Sequence, residues 1–265
     1  MDKPIIFEQF STHAVITLNR PDVFNALDQE MINELKKVTE LLSKCEKTRC
    51  VIIKANGKHF MAGGDVKMFA SLTMPGKERH LALKPWMEQL HDCMQALSKL
   101  PMPIIASIQG AVAGFGLGLM MASDIIIASE IAYFNLAYIK IGLCPDGLVS
   151  YWLPRKIGLT KAMELALTGK RLDAKEAMDL GLVNHVVKAD VLDLETSKLV
   201  TVLNQNSLLA MRHTKKLLRF SLDNDIKNQS SLELKAFGQC LAHDDFVEGV
   251  KAFLEKRSPN FNEKS

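Results

Sequence analysis

The sequence predicts a mixed α/β fold, and three observations carry that prediction. Apolar stretches with strand character alternate with helical patterns. Two glycine-bearing segments, His59 to Asp65 and Gly110 to Gly116, each follow an apolar strand and lead into a helical pattern. Beyond Gly158 strands become rare and helices dominate.

Taken in order, the chain opens on a hairpin, with strands over Ile5 to Phe10 and Ala14 to Leu18. After the Asn19-Arg20-Pro21-Asp22 turn comes an amphipathic helix. Met31, Leu35, Val38, Leu41 and Leu42 are placed on one face and Asp28 at its N-cap. Cys50 to Lys54 reads as a short buried strand that runs into the first glycine segment. Gly76 to Leu100 is helical and polar and ends at Leu100-Pro101-Met102-Pro103, where proline stops a helix and starts extended chain. Pro103 to Ile108 is the next strand, followed by the second glycine segment, a helix through Met121 and a strand over Asp124 to Ala128. Ala162 to Thr168 and Ala174 to Leu180 are short helices, with Val183 to Val187 a lone strand after them. Leu208, Met211, Leu218 and Leu222 mark one amphipathic helix, and Phe246, Val250 and Phe253 another. No low-complexity linker separates the halves, so residues 1–195 are expected to form the core and 196–265 a helical region.

Composition excludes several classes of function. With 33 basic and 30 acidic residues and no basic cluster interleaved with aromatics, nucleic acid is not an expected partner. The five cysteines are scattered and odd in number, which reads as reduced thiols in a cytoplasmic protein. The start, Met1-Asp2-Lys3-Pro4, has no signal-peptide pattern. Ile104 to Ala128 is long and apolar, but Gln109, Ser107, Ser123, Asp124 and its glycines break it into strand, loop and helix rather than a membrane span. The seven histidines form no metal-binding spacing, so no metal is expected.

The chemistry rests on the glycine segments. A strand that runs through glycines into a helix leaves backbone N–H groups free at the helix start. Two such ends that converge offer two donors to one oxygen, which is the layout of an oxyanion hole for an acyl carbonyl. Each glycine alone reads equally as a tight turn. Gly114-x-Gly116-x-Gly118 does not match a dinucleotide fingerprint. Asp146, in Pro145-Asp146-Gly147, is either a turn residue or an acid–base carboxylate delivered by a loop.

At these residues the chain resembles the crotonase, or enoyl-CoA hydratase/isomerase, superfamily. Leu18-Asn19-Arg20-Pro21, Asn25-Ala26-Leu27, Phe60 through Lys67, Ile104 through Ala128, Leu153-Pro154-Arg155, Leu167-Thr168-Gly169 and Gly181-Leu182-Val183 carry the likeness across nearly the whole chain. The resemblance implies a spiral of ββα units with a C-terminal helical part that builds trimers or pairs of trimers. It also implies an acyl-CoA thioester as substrate, with no separate cofactor. The backbone N–H groups of Gly64 and Phe115 would hold the thioester oxygen, Phe115 standing where glycine is usual. Substrate contacts carry over to Val23, Phe24, Ala26, Ala62, Asp65, Val66, Gly114 and Gly118.

Two departures from the family pattern shape the functional expectation. Hydratases of the family place one glutamate where this sequence has Gly118 and a second where it has Tyr138. Neither replacement supplies a carboxylate, and tyrosine is a weak base at neutral pH. Asp146 instead falls where dienoyl-CoA isomerases, ring-epoxide isomerases and aryl-CoA dehalogenases of the superfamily resemble one another in carrying an aspartate. The expectation is an enoyl-CoA isomerase in which Asp146 shuttles a proton. The alternatives are a hydratase that uses Asp146 with Tyr138, and a family member that binds acyl-CoA without turnover.

Overall fold

The computed structural model describes residues 3–261, so Met1, Asp2 and the end of the carboxy-terminal region lie outside the described residues. Six strands form the main sheet: β1 (Ile5–Gln9), β2 (His13–Leu18), β3 (Cys50–Ala55), β4 (Ile104–Ile108), β6 (Ile125–Ser129) and β9 (His185–Val187), in the order β1-β2-β3-β4-β6-β9. Only the β1–β2 hairpin is antiparallel; every other pairing in this sheet is parallel. Parallel strands are covered on both faces, which explains why β4, Ile-Ile-Ala-Ser-Ile, is buried throughout.

Alternation along the strands divides the core in two. Ile16, Ile53 and Ala106 enter the large cluster on one face, while Val15, Ile52 and Ile105 face the other. The second face is closed by α8 (Leu192–Asn204) through Leu192, Val200 and Leu203. At roughly 2 kcal/mol for each fully buried aliphatic side chain, these two layers hold the sheet in place. Helix α8 runs without a break across residues 195 and 196.

On the first face lie α1 (Gln29–Ser43) and α3 (Gly76–Ser98). Asp28 caps α1 by accepting from the Met31 N–H at 2.9 Å. Met31, Leu35, Val38 and Leu42 are buried there as expected, but Leu41 is exposed, because it sits beside the apolar stripe rather than in it.

Several elements have little sequence signal. β5 (Ala111–Ala113), β7 (Tyr133–Asn135) and β8 (Arg171–Asp173) form a second sheet in the order β5-β7-β8. Three residues are too few to display a period of two. α2 (Val66–Ala70), α4 (Phe115–Ala122), α5 (Val149–Ile157), α6 (Leu159–Thr168) and α7 (Ala174–Asp179) complete the core. Helices α9 (Leu208–Phe220), α10 (Ile226–Leu241) and α11 (Asp244–Leu254) follow. α9 ends before Leu222; Met211 packs against the core, whereas Leu218 and Leu222 are exposed, so only the first part of the expected apolar face is covered among the described residues. No helix among the described residues is long and apolar enough to cross a membrane.

One polar hub joins α9 to the core. Asp124 accepts from the Ile104 N–H at 2.8 Å, pairs with Lys215 at 2.7 Å and takes a two-pronged contact from Arg219 at 2.6 and 3.0 Å. Lys215 is only 8% exposed, so removing its counter-charge strands a buried ammonium. Asp124→Ala is expected to cost about 3 kcal/mol, read as a lower urea midpoint. An unchanged midpoint would show that the hub contributes nothing net.

Candidate active site

The two glycine segments are brought side by side by a short parallel pairing. Met61 and Val112 form a bridge in which the Met61 N–H donates to the Ala111 carbonyl at 3.0 Å and the Ala113 N–H donates to the Met61 carbonyl at 2.9 Å. Carrying that register forward sets Gly63 beside Gly114 and Gly64 beside Phe115. Contact confirms the first pair: a Cβ on Gly114 would lie 3.6 Å from the Gly63 Cα. Gly63 (φ 102°) and Gly114 (φ 50°, ψ −123°) adopt backbone angles that L side chains rarely reach.

Both expected oxyanion donors are free. Leu27 bonds the Gly63 carbonyl and the Asp65 N–H on one edge of the segment, which leaves the Gly64 N–H on the opposite edge, facing residues 111–115. Phe115 is the first residue of α4, where an N–H has no intrahelical acceptor. Neither N–H has a partner among the described residues. Helix α4 adds the positive end of its dipole at the same point.

The Phe115 ring is buried and packs on Gly147, where a Cβ would meet its Cδ2 at 2.5 Å. The ring therefore braces the loop that carries Asp146. Gly147 (φ 58°) and Leu148 (φ 65°) are both left-handed, and this double turn aims the loop before α5 begins.

Asp146 and Tyr138 form a pair. The Tyr138 hydroxyl donates to Asp146 Oδ1 at 3.1 Å, and its ring lies 3.9 Å from the Cβ position of Gly114. The carboxyl thus stands one tyrosine ring away from the glycine seam. Burial pushes the Asp146 carboxyl above the usual carboxylate range, offset in part by the Tyr138 hydrogen bond and the nearby His91 imidazole. Burial and the Asp146 charge push the Tyr138 hydroxyl upward, so it is a donor here and not a base.

Gly118 is closed to any side chain. A Cβ there would stand 2.4 Å from the Gly147 carbonyl oxygen and 3.4 Å from Val149 Cγ2. The Asp146 loop occupies the volume that a glutamate at this position would need. Gly118→Ala is expected to cost about 2 kcal/mol by overpacking, seen as a lower melting temperature. A variant as stable as the parent would show that the loop yields freely.

The expected substrate-binding residues divide into two groups. Phe24, Ala62 and Val66 are exposed and present an apolar strip, with Phe24 edge-on to His59 at 5.0 Å. The Ala62 N–H donates to the Phe24 carbonyl at 3.0 Å. Phe24 (φ 54°) and Asn25 (φ 56°) are both left-handed, and buried Asn25 holds this turn by donating to the Asn56 and His59 carbonyls. Ala26 and Asp65 are committed internally. Arg20 bonds the Ala26 carbonyl and pairs with Asp28 at 3.0 Å and Asp65 at 3.5 Å, while Asp65 caps α2 through the Lys67 N–H. Val23 is half-buried beside them.

Two further groups border the site. Phe69 on α2 crowds Gly64, where a Cβ would lie 2.8 Å from its Cε2, and it meets Trp86 edge-on at 6.3 Å. His91 on α3 acts on Asp146 through its charge. The sequence held no signal for His91; Phe69 could have been found from the apolar run behind the Asp65 cap.

A family model described as enoyl-CoA hydratase/isomerase matches residues 8–264. The chain belongs to the enoyl-CoA hydratase/isomerase family. YhaR of Bacillus subtilis, which bears an enoyl-CoA hydratase/isomerase name, is 36% identical over 94% of each chain. The trans-2-decenoyl-[acyl-carrier-protein] isomerase of Streptococcus mutans is 32% identical over 99% of each. Among solved structures, an enoyl-CoA hydratase from Bacillus anthracis superposes with a TM-score of 0.91 at 29% identity, covering 98% of this chain and all of the other. The crotonase fold expected from the motifs is thereby established.

Proposed function

We propose that the protein is an enoyl-CoA isomerase that moves a double bond along an acyl-CoA thioester with one carboxylate. The Gly64 and Phe115 N–H groups hold the thioester oxygen. Ionised Asp146 takes a proton from the α or γ carbon, and the electron pair spreads into a dienolate whose negative charge rests on that oxygen. The protonated Asp146 returns the proton at the other carbon, so nothing is consumed and no water enters. Tyr138 holds the carboxyl through its hydroxyl.

The observation that carries this reading is the closure of position 118 by the Gly147 carbonyl, beside a Tyr138 that cannot serve as a base. Hydration needs water activated as well as a proton moved; isomerisation needs only the shuttle. The isomerase name borne by a relative of matching length agrees with it. The exposed apolar side chains of the last helices, Phe237, Phe253 and Leu254 among them, favour assembly as a trimer or a pair of trimers.

The test supplies a 3-enoyl-CoA and a 2-enoyl-CoA separately in ¹⁸O-labelled water. The expected result is interconversion of the two without label in the product. Label in a hydroxyacyl product with no double-bond migration would establish a hydratase instead, and the absence of any product from a broad thioester panel would establish a binding protein.

A further inference from the structure

A cavity of about 740 Å³ lies at the opposite end of α4 from Phe115, between α5, α8 and α9. Its size is that of a small-molecule site, roughly 300–1,000 Å³. Its lining is charged with one sign: Arg155, Lys156, Lys215 and Arg219 against the single carboxylate of Asp124. Asp124 is engaged by both Lys215 and Arg219, and Arg155 pairs with Asp223 at 3.0 Å. The Lys156 side chain has no hydrogen bond or ion pair among the described residues and feels Asp124 only at longer range. Lys156 alone of the four is therefore left without a paired carboxylate.

Behind this wall the Ser123 hydroxyl and the Trp152 indole N–H are sealed off with no partner, although buried polar groups are nearly always bonded. The unpaired Lys156 ammonium in a cavity that is otherwise largely apolar marks a place for an anionic acceptor. Arg219 fixes the wall by stacking on the Trp152 ring at 4.5 Å and by donating to the Ala122 carbonyl at 2.6 Å, the last residue of α4. Leu203, Met211 and Ile125 make the remainder of the lining apolar.

We infer that this cavity binds a small organic anion, a carboxylate or phosphate head on an apolar body, with Lys156 bonding the head. The site is separate from the glycine seam, and α4 spans the two.

The experiment titrates octanoate, octyl phosphate, octanol and inorganic phosphate into the full-length protein in its native oligomer, read by calorimetry and by tryptophan fluorescence. Saturable binding of one or both amphipathic anions is expected, and which of them binds tighter identifies the head group. Octanol and inorganic phosphate should each bind at least about tenfold more weakly, for loss of the charge-assisted bonds or of the apolar contact. Lys156→Met should weaken the anion by about tenfold, and Lys156→Arg should restore it. Far-ultraviolet circular dichroism and the melting temperature check that both variants are folded. Absence of saturable binding, binding that Lys156→Met leaves unchanged, or inorganic phosphate binding as tightly as the amphipathic anions would each overturn the inference.

Discussion

Asp146→Asn is expected to lower the isomerisation rate by about a thousandfold, within the range that a positioned acid–base group contributes. Asparagine preserves the size of the side chain and an oxygen to accept from Tyr138, so the loop geometry stays intact while proton transfer stops. Stability should move the other way. Burial raises the folded-state pKa of Asp146 above its unfolded value, so the native state holds this proton more tightly than the unfolded chain does. The group's contribution to stability is then greatest at low pH and falls as pH rises from the ordinary aspartate value to the raised folded value. At neutral pH the buried charge is a burden that asparagine removes. Asp146→Asn should therefore be at least as stable as the parent at pH 7, and melting curves taken alongside the rate measurement check this. In the parent, kcat/KM should fall on acidification through the raised pKa, at a higher pH than an ordinary aspartate would give. A dead enzyme that is also markedly less stable would assign Asp146 to holding the loop and not to catalysis.

The second large effect belongs to the helix start. Phe115→Pro removes one N–H from the proposed hole at a position where proline suits a helix, since the first helical residue has no intrahelical acceptor for its N–H. Phe115→Gly is its control, because both variants lose the ring that packs on Gly147 and only proline loses the donor. The proline variant should be slower than the glycine variant by about 10²–10³ in kcat, with a smaller change in KM. Equal rates in the two would mean that the Phe115 N–H does not meet developing charge.

The sequence was most legible where backbone chemistry is tied to residue type. Gly63 and Gly114 need angles that L side chains rarely adopt, so glycine there announces itself, and both segments proved to run side by side. The buried parallel strands were equally plain, because a strand covered on both faces is apolar throughout. What stayed hidden depends on contact between distant residues. Asp124, Lys215 and Arg219 meet only through the packing of α9, and no local pattern marks their pairing. Asp146 and Tyr138 were legible as groups that could act together, but the hydrogen bond between them, formed where the chain turns at Gly147 and Leu148, has no local signal. The Phe115 ring packs on Gly147 and so braces the aspartate loop, a contact that no local pattern marks.

The most direct measurement is a crystal structure with a non-reactive acyl-CoA analogue. The account predicts a thioester oxygen about 3 Å from both the Gly64 and Phe115 nitrogens, with an Asp146 carboxyl oxygen facing the α and γ carbons. An oxygen that meets only one of these amides, or an Asp146 turned away from the chain, would contradict it.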